Sequence, residues 1–538
     1  MMWAWANTTP VASVCFPISK INQGVKMLQI TVPFYNDPYL DNALIYFNTL
    51  LNEIAHQYPD VVASHINADG LSININNRER FIGLLEDKIK RETETNLKFS
   101  SRRRDGTTFQ DWKHYLPFLS QPPNQFPLTY REEKRRELLE KAFPPEPQRS
   151  ENKCFLCGLF PPQVELTQGI YPFVTKAASL TTSEYLATRR SNPYHSVCPL
   201  CYLIASLGWA DPSLPYRSKI NVAPRQTISF LWLPYPTSSP YKLQSLKERL
   251  STELALSEEI SNIRLPSSQY PPSRFSLLLS FLENLLSKVA EEDVKSLQEV
   301  ALNIPNEWWL LRIPEGRGMK NVDLQGFYLS ERVKNALIKC LEAQIKPYEN
   351  LLGMVEMRYI GEVRNREEER KRTDNLREGL SHSFLGDDYP SFARLFQPHP
   401  RWIAFLMQSC DNNLSNFIKI WRCNEMFTEQ ELEILRKAGR TIALISDLRN
   451  KPSVLYNFLD RVRTSSDLLD FLKEIGHLLV GIDFEKDEAQ FLSPDSLSEL
   501  VNLINEKEKA FQDLQSTLGI FISVEYAKRK LQERRRTK

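Results

Sequence analysis

Apolar residues recur along this chain with two distinct periods, and the period changes from the N-terminal to the C-terminal half. Met27-Leu28-Gln29-Ile30-Thr31-Val32 alternates and predicts a strand, as does Leu71-Ser72-Ile73-Asn74-Ile75-Asn76. Between them, residues 40–54 carry helical spacing. Residues 275–302 repeat Leu278, Leu279, Phe281, Leu282, Leu285 and Leu286 on one helical face, and Trp308-Trp309-Leu310-Leu311-Arg312-Ile313 predicts a buried strand.

Further on, the pattern is helical throughout. Thr428-Glu429-Gln430-Glu431 fits a capping box, followed by an apolar face of Leu432, Ile434, Leu435, Ala438, Ile442 and Leu444. A second helix is expected from about Ser466 through Leu479, with Gly481 as its stop. Ser493-Pro494 reads as N-cap and first position of a third, whose apolar residues include Leu497, Leu500, Leu503 and Ile504. Proline supports this division. Eighteen of the 34 prolines lie between Pro117 and Pro240, whereas residues 401–538 hold only Pro452 and Pro494. The expected fold class is α+β. The expected parts are a mixed N-terminal region (1–115), a Pro-rich metal-binding insertion (116–240), the rest of the N-terminal domain (241–397), and a C-terminal α-helical bundle (398–538).

Composition narrows the function classes. At 538 residues there is ample chain for several cores, and 25% charged against 42% hydrophobic residues is a globular balance. No apolar run approaches the roughly 18 residues of a membrane span, and the first residues lack the pattern of a secretory signal. A cytoplasmic protein without membrane attachment is expected. Glycine is scarce, 18 in all, which disfavours a Gly-rich nucleotide-binding enzyme. The net charge of +2 gives no global field for nucleic acid, so such a partner must meet local patches. Residues 78–104 hold nine Lys or Arg against five Asp or Glu, and residues 528–538 hold seven against one. Each patch also fits a solvated helix face.

The sharpest chemical signal is Cys154-Phe155-Leu156-Cys157 with Cys198-Pro199-Leu200-Cys201. Two CxxC pairs supply the four thiolates of a tetrahedral structural zinc site, each pair turning both sulfurs toward one ion. Forty residues separate Cys157 from Cys198, so the intervening chain is an insertion of its own. A redox CxxC is the rival reading, but it needs only one pair. A catalytic zinc is disfavoured because four thiolates leave no open position. His195 is a possible substitute ligand. Cys15, Cys340, Cys410 and Cys423 lack partner spacing and read as packing residues.

Catalytic motifs for phosphate loops and zinc proteases are missing. Gly386-Asp387-Asp388-Tyr389 resembles the paired aspartates of a polymerase or cyclase palm, yet Pro390 follows and no second acidic strand accompanies it. A polar turn is the better reading.

The CxxC–CxxC insertion in a mixed N-terminal region, followed by a Pro-poor helical C-terminus, resembles the large subunit of a type I-B CRISPR Cascade complex. Within that class it is similar to the family named for its CxxC–CxxC region. The resemblance implies a non-catalytic subunit of an RNA-guided surveillance complex, with guide RNA and other Cascade subunits as partners. Its N-terminal domain would recognise the protospacer-adjacent motif and aid duplex opening in target double-stranded DNA. Its helical domain would stabilise the displaced strand for a separate helicase-nuclease or transposition machinery. Residue types suited to groove edges are Asn74, Asn76, Asn77 and Arg78, then Arg102, Arg103, Arg104 and Thr107, then Arg317 and Lys320. Lys528, Arg529 and Lys530 begin a basic tail suited to phosphates. The resemblance also implies a small subunit translated from an internal start, for which Met407 is the best-placed candidate. Two rival readings stand beside this one: a stand-alone zinc-stabilised DNA-binding protein, and a divergent palm-type nucleotide cyclase or nuclease.

Overall fold

A computed structural model describes residues 27–96, 128–145, 154, 156–158, 164–165, 196–208, 211, 213–214, 216–223, 226–235, 240–252, 273–292, 294–315, 323–361, 365–423, 427–480 and 494–536. The chain is α+β and divides into two compact units. One comprises Met1–Ser213, Leu233–Ser251 and Arg317–Asp323, the other Leu214–Trp232, Thr252–Gly316 and Leu324–Lys538. This division falls elsewhere than the expected boundaries. Part of the Pro-rich segment belongs to the second unit, and position 398 lies inside it.

The first unit is built on a three-stranded antiparallel sheet of order β1-β3-β2, with β1 at Leu28–Pro33, β2 at Val62–Ile66 and β3 at Gly70–Ile75. Its register puts Leu28, Ile75 and Val62 in one row and Val32, Leu71 and Ile66 in another. Period-two alternation therefore makes one face apolar. Against the sheet lies α1, Pro38–Gln57, buried continuously from Pro38 to Leu51. Its start is strongly specified: Pro38 occupies the first turn, and the Asp37 side chain accepts from the amides of Tyr39 and Leu40. On α1 pack α2 (Arg78–Asn96) and α4 (Pro199–Leu207), with α3 (Glu132–Ala142) against both; the unit also holds the short pair β4 (Val164–Glu165) and β5 (Ser196–Val197) and α5 (Pro240–Thr252).

The second unit contains a four-stranded sheet of order β6-β7-β8-β9: Tyr216–Ala223, Gln226–Pro234, Glu307–Glu315 and Asp323–Tyr328. The expected strand around Trp308 is β8, and the expected helix from 275 is α6 (Phe275–Glu292) followed by α7 (Val294–Asn303). Next come α8 (Glu331–Glu342), β10 (Glu356–Tyr359), α9 (Arg366–Leu385), α10 (Tyr389–Phe396) and β11 (Trp402–Phe405), which pairs with β10. The C-terminal helices are α11 (Asp411–Ile418), α12 (Glu429–Leu448), the single turns α13 (Ser453–Tyr456) and α14 (Phe458–Arg461), α15 (Ser465–Leu479), α16 (Pro494–Glu506) and α17 (Phe511–Arg536). The capping box at Thr428 and Glu431 is present, and α15 opens on another formed by Thr464 and Asp467. Gly481 and Ser493 lie outside the described residues.

The sequence pattern did not announce α17. Leu514, Leu518, Ile520, Phe521, Ile522, Val524 and Tyr526 are all buried, as are Gln515, Ser516, Thr517 and Ser523 between them, so the middle of the helix is buried around its circumference rather than along one stripe. It packs on α10, β11, α12 and α14. Gly439 of α12 lets the two long helices approach closely, since a Cβ there would sit 2.9 Å from that of Phe521.

Two of those neighbours, α10 and β11, precede Met407. Tyr389 Oη meets Thr517 Oγ1 at 2.8 Å, and Phe392 packs edge-on against Trp421. The region beyond Met407 therefore shares its core with elements that precede it. Expressed in isolation, residues 407–538 should bind a hydrophobic dye and unfold without a cooperative transition. Restoring residues 365–406 should recover cooperativity, which calorimetry would register.

A second test concerns Asp41, whose carboxylate accepts from the amides of Tyr35 (2.7 Å) and Asp37 (3.1 Å) in the turn that opens α1. Burial pushes its pKa up to about 7, against the lowering effect of those amides. The folded chain thus holds a proton that the unfolded chain has lost between about pH 4 and 7. This group's contribution to stability falls as pH rises through that window and is level above it. Relative to Asp41→Asn, the wild type should lose on the order of 4 kcal/mol between pH 4 and 7, read from denaturation midpoints.

Candidate metal centre

The first cysteine pair sits in a tight turn, with the Gly158 amide donating to the Cys154 carbonyl at 2.9 Å. Gly158 has φ of +71°, a conformation that costs any other residue about 1–2 kcal/mol. The second pair straddles a helix start. Cys198 follows β5 and is the N-cap of α4, and Pro199 begins the helix. Val164 of β4 pairs with Val197, fixing the chain just before Cys198.

Tertiary packing sets the position of α4. All nine of its residues are buried, and Tyr39 Oη donates to the Ala205 carbonyl at 3.2 Å. Tyr130 Oη donates to the Ser206 carbonyl at 2.9 Å, and Tyr202 Oη accepts from the Leu128 amide at 3.0 Å.

These constraints bring the four sulfurs within 4.8 Å of one another, with Cys157 and Cys198 at 4.0 Å. Cys154, Cys198 and Cys201 are buried and Cys157 is half-buried. All four are free thiols. Backbone donors face them: the Cys198 amide reaches Cys154 Sγ at 3.2 Å, and the Cys201 amide reaches Cys198 Sγ at 3.3 Å. Hydrogen bonds from the Cys157, Cys198 and Cys201 thiols hold the Cys154 thiol far below its usual range. Cys198 is pushed up by its bond to Cys154, and Cys201 by burial. A metal ion entering the cluster would displace protons from its thiols.

Sequence spacing did not single out Tyr35. Its hydroxyl donates to Cys201 Sγ at 3.3 Å, and burial followed by the charge on Cys201 raises its pKa, so it remains a donor. The two residues are 166 positions apart, and no local motif links them.

The other candidate residues do not gather around this cluster. Asn74 lies on the central strand β3 between Gln29 and Ala63, its Oδ1 buried without a partner. Asn76 is exposed and donates to the Asp60 carbonyl, while Asn77 Oδ1 accepts from the Arg80 amide at the start of α2. Arg78 is held by the carbonyls of Phe143 and Glu140 and by Glu79. Lys528 pairs with Asp411 and Glu525, and Arg529 and Lys530 both pair with Asp447. Met407 is 39% exposed between β11 and α11. Arg102, Arg103, Arg104, Thr107, Arg317, Lys320, His195 and Cys15 lie outside the described residues. Cys340 and Cys410 are buried, as expected of packing residues.

The paired aspartates serve separate structural roles. Asp387, at φ +56°, accepts from Trp421 Nε1 at 2.9 Å and pairs with Arg422 and Arg332. Asp388 caps α10 through the Ser391 amide. Among the described residues, the cysteine quartet is the one grouping of potential metal ligands.

Comparison with protein-family models and with curated proteins finds no match for this chain. Fold and site together define an α+β protein with a clustered four-cysteine site compatible with one metal ion. No described helix is long and apolar enough to cross a membrane. Cys157→Ser should reduce bound metal from about one ion per chain to near zero, measured by elemental mass spectrometry.

Proposed function

We propose that the ion is zinc and that the chain is a non-catalytic large subunit of an RNA-guided, type I-B Cascade complex. Four sulfurs about 2.3 Å from a tetrahedral zinc lie about 3.8 Å apart, close to the 4.0 Å between Cys157 and Cys198. A closed thiolate shell is structural, and its binding energy contributes directly to folding. The observation that carries the reading is this cluster, set in the α+β unit of a chain whose remaining length is helix-rich. The engagement of Asp387 and Asp388 in capping and ion pairing weighs against the palm-type alternative.

In this reading the chain works in the cytoplasm of a prokaryote, beside guide RNA and the other Cascade subunits. Its first unit meets the duplex next to the target, and the helical region accompanies the displaced strand. The structure-bearing roles of Arg78, Lys528, Arg529 and Lys530 shift the expected DNA contacts toward Arg102, Arg103 and Arg104, with exposed Asn76 and Asn77. Phosphates approaching Lys528, Arg529 or Lys530 must compete with Asp411 and Asp447. A small subunit started at Met407 must find another cover for the face of α17 that α10 and β11 occupy here.

The test is reconstitution with guide RNA and partner subunits. Charge reversal at Arg102, Arg103 and Arg104 together should weaken target binding at low salt and flatten the log–log salt slope by about two to three. Unchanged binding at low salt would remove those residues from the interface. If the isolated chain bound DNA as tightly as the assembly, the stand-alone reading would replace this one.

A further inference from the structure

We infer that Tyr35 is an outer-sphere positioning residue of the metal centre, damping the reactivity of Cys201 and tying metal occupancy to the turn that opens α1. This rests on the reading that the four cysteines hold one divalent ion.

A dication among four thiolates leaves two negative charges in a largely buried site, and buried charge is costly unless donors face it. Two donors are the amides of Cys198 and Cys201, which the local turns supply. The third is different in origin. Cys201 is the most buried of the four, 1% exposed, and the hydroxyl reaching its sulfur comes from a remote turn. That turn is tightly held. The Tyr35 amide donates to Asp41, Asn36 adopts a left-handed φ of +56°, and Asp37 caps α1. The donor is therefore pre-positioned rather than swinging freely. A hydrogen bond to a metal-bound thiolate withdraws electron density, making the sulfur a poorer nucleophile and the ion harder to extract. In return, a filled site gives the Tyr35 hydroxyl a charged acceptor, which steadies the turn.

The experiment loads the full-length chain with Co²⁺ and compares wild type, Tyr35→Phe and Tyr39→Phe. Tyr39 is the control: its hydroxyl donates to the Ala205 carbonyl, across the same helix pair. Tyr35→Phe should shift the thiolate-to-cobalt charge-transfer bands, speed metal loss to a chelator about tenfold, and advance alkylation of Cys201. Tyr39→Phe should lower the melting temperature and leave all three readouts in place. Silent bands and unchanged release in Tyr35→Phe would overturn the inference, as would equal changes in Tyr39→Phe. Failure of the wild type to take up cobalt would overturn both this inference and the metal reading, whereas uptake with a silent Tyr35→Phe would overturn this inference alone. Should Tyr35→Phe not fold, the wild type decides. Under chelator, Cys157 should alkylate first and Cys201 last, and the reverse order would refute the assignment.

Discussion

Convergence of four sulfurs from two distant turns is the constraint around which the first unit is organised. Each CxxC turn is local and self-specifying, through Gly158 in one case and the Cys198 cap with Pro199 in the other. Neither turn can find the other without α4 being buried against α1. The burial of α1 is extensive, and its starting turn is held by a carboxylate that itself resists ionisation. Sheet, helix and cysteine cluster thus share one set of contacts.

The second unit relies on a different device. Its centre is α17, whose middle turns are buried on every side and so need neighbours all round. Hydrophobic burial of such a helix is favourable only when the surrounding elements are present. Two of them, α10 and β11, lie earlier in the chain than the last helices, and the aromatic cluster of Phe384, Phe392, Phe417 and Trp421 joins the two stretches. Arg422 strengthens the junction by a two-pronged pair with Asp513 at 2.8 and 2.9 Å while also reaching Asp387. Asp387 and Asp388, adjacent in the chain, serve here as an ion-pair anchor and a cap.

Charge shows most clearly how a linear reading differs from a folded one. The basic run beginning at Lys528 looks like a phosphate-binding tail. In the folded chain its first members reach back to Asp411 and to Asp447, whose side chain is 1% exposed. An acid so buried requires a paired cation, so these lysines and this arginine hold α17 against α11 and α12. Arg78 is similar: its guanidinium meets the carbonyls of Glu140 and Phe143, satisfying the end of α3 instead of facing solvent.

What the sequence by itself determined was local. Alternation sufficed for β1 and β3, a short apolar run for β8, capping chemistry for the start of α12, and CxxC spacing for the four clustered cysteines, because each signal lies within a few residues. Tertiary structure alone decided where cores close and which groups meet. The helix α17 mixes polar and apolar residues on all sides of its buried middle, so its period does not show. The ion pairs of Asp387 and Asp447 bridge dozens of residues. Tyr35 reaches Cys201 only because α1 and α4 bury against each other, bringing together a phenol and a thiol that no short-range pattern could associate.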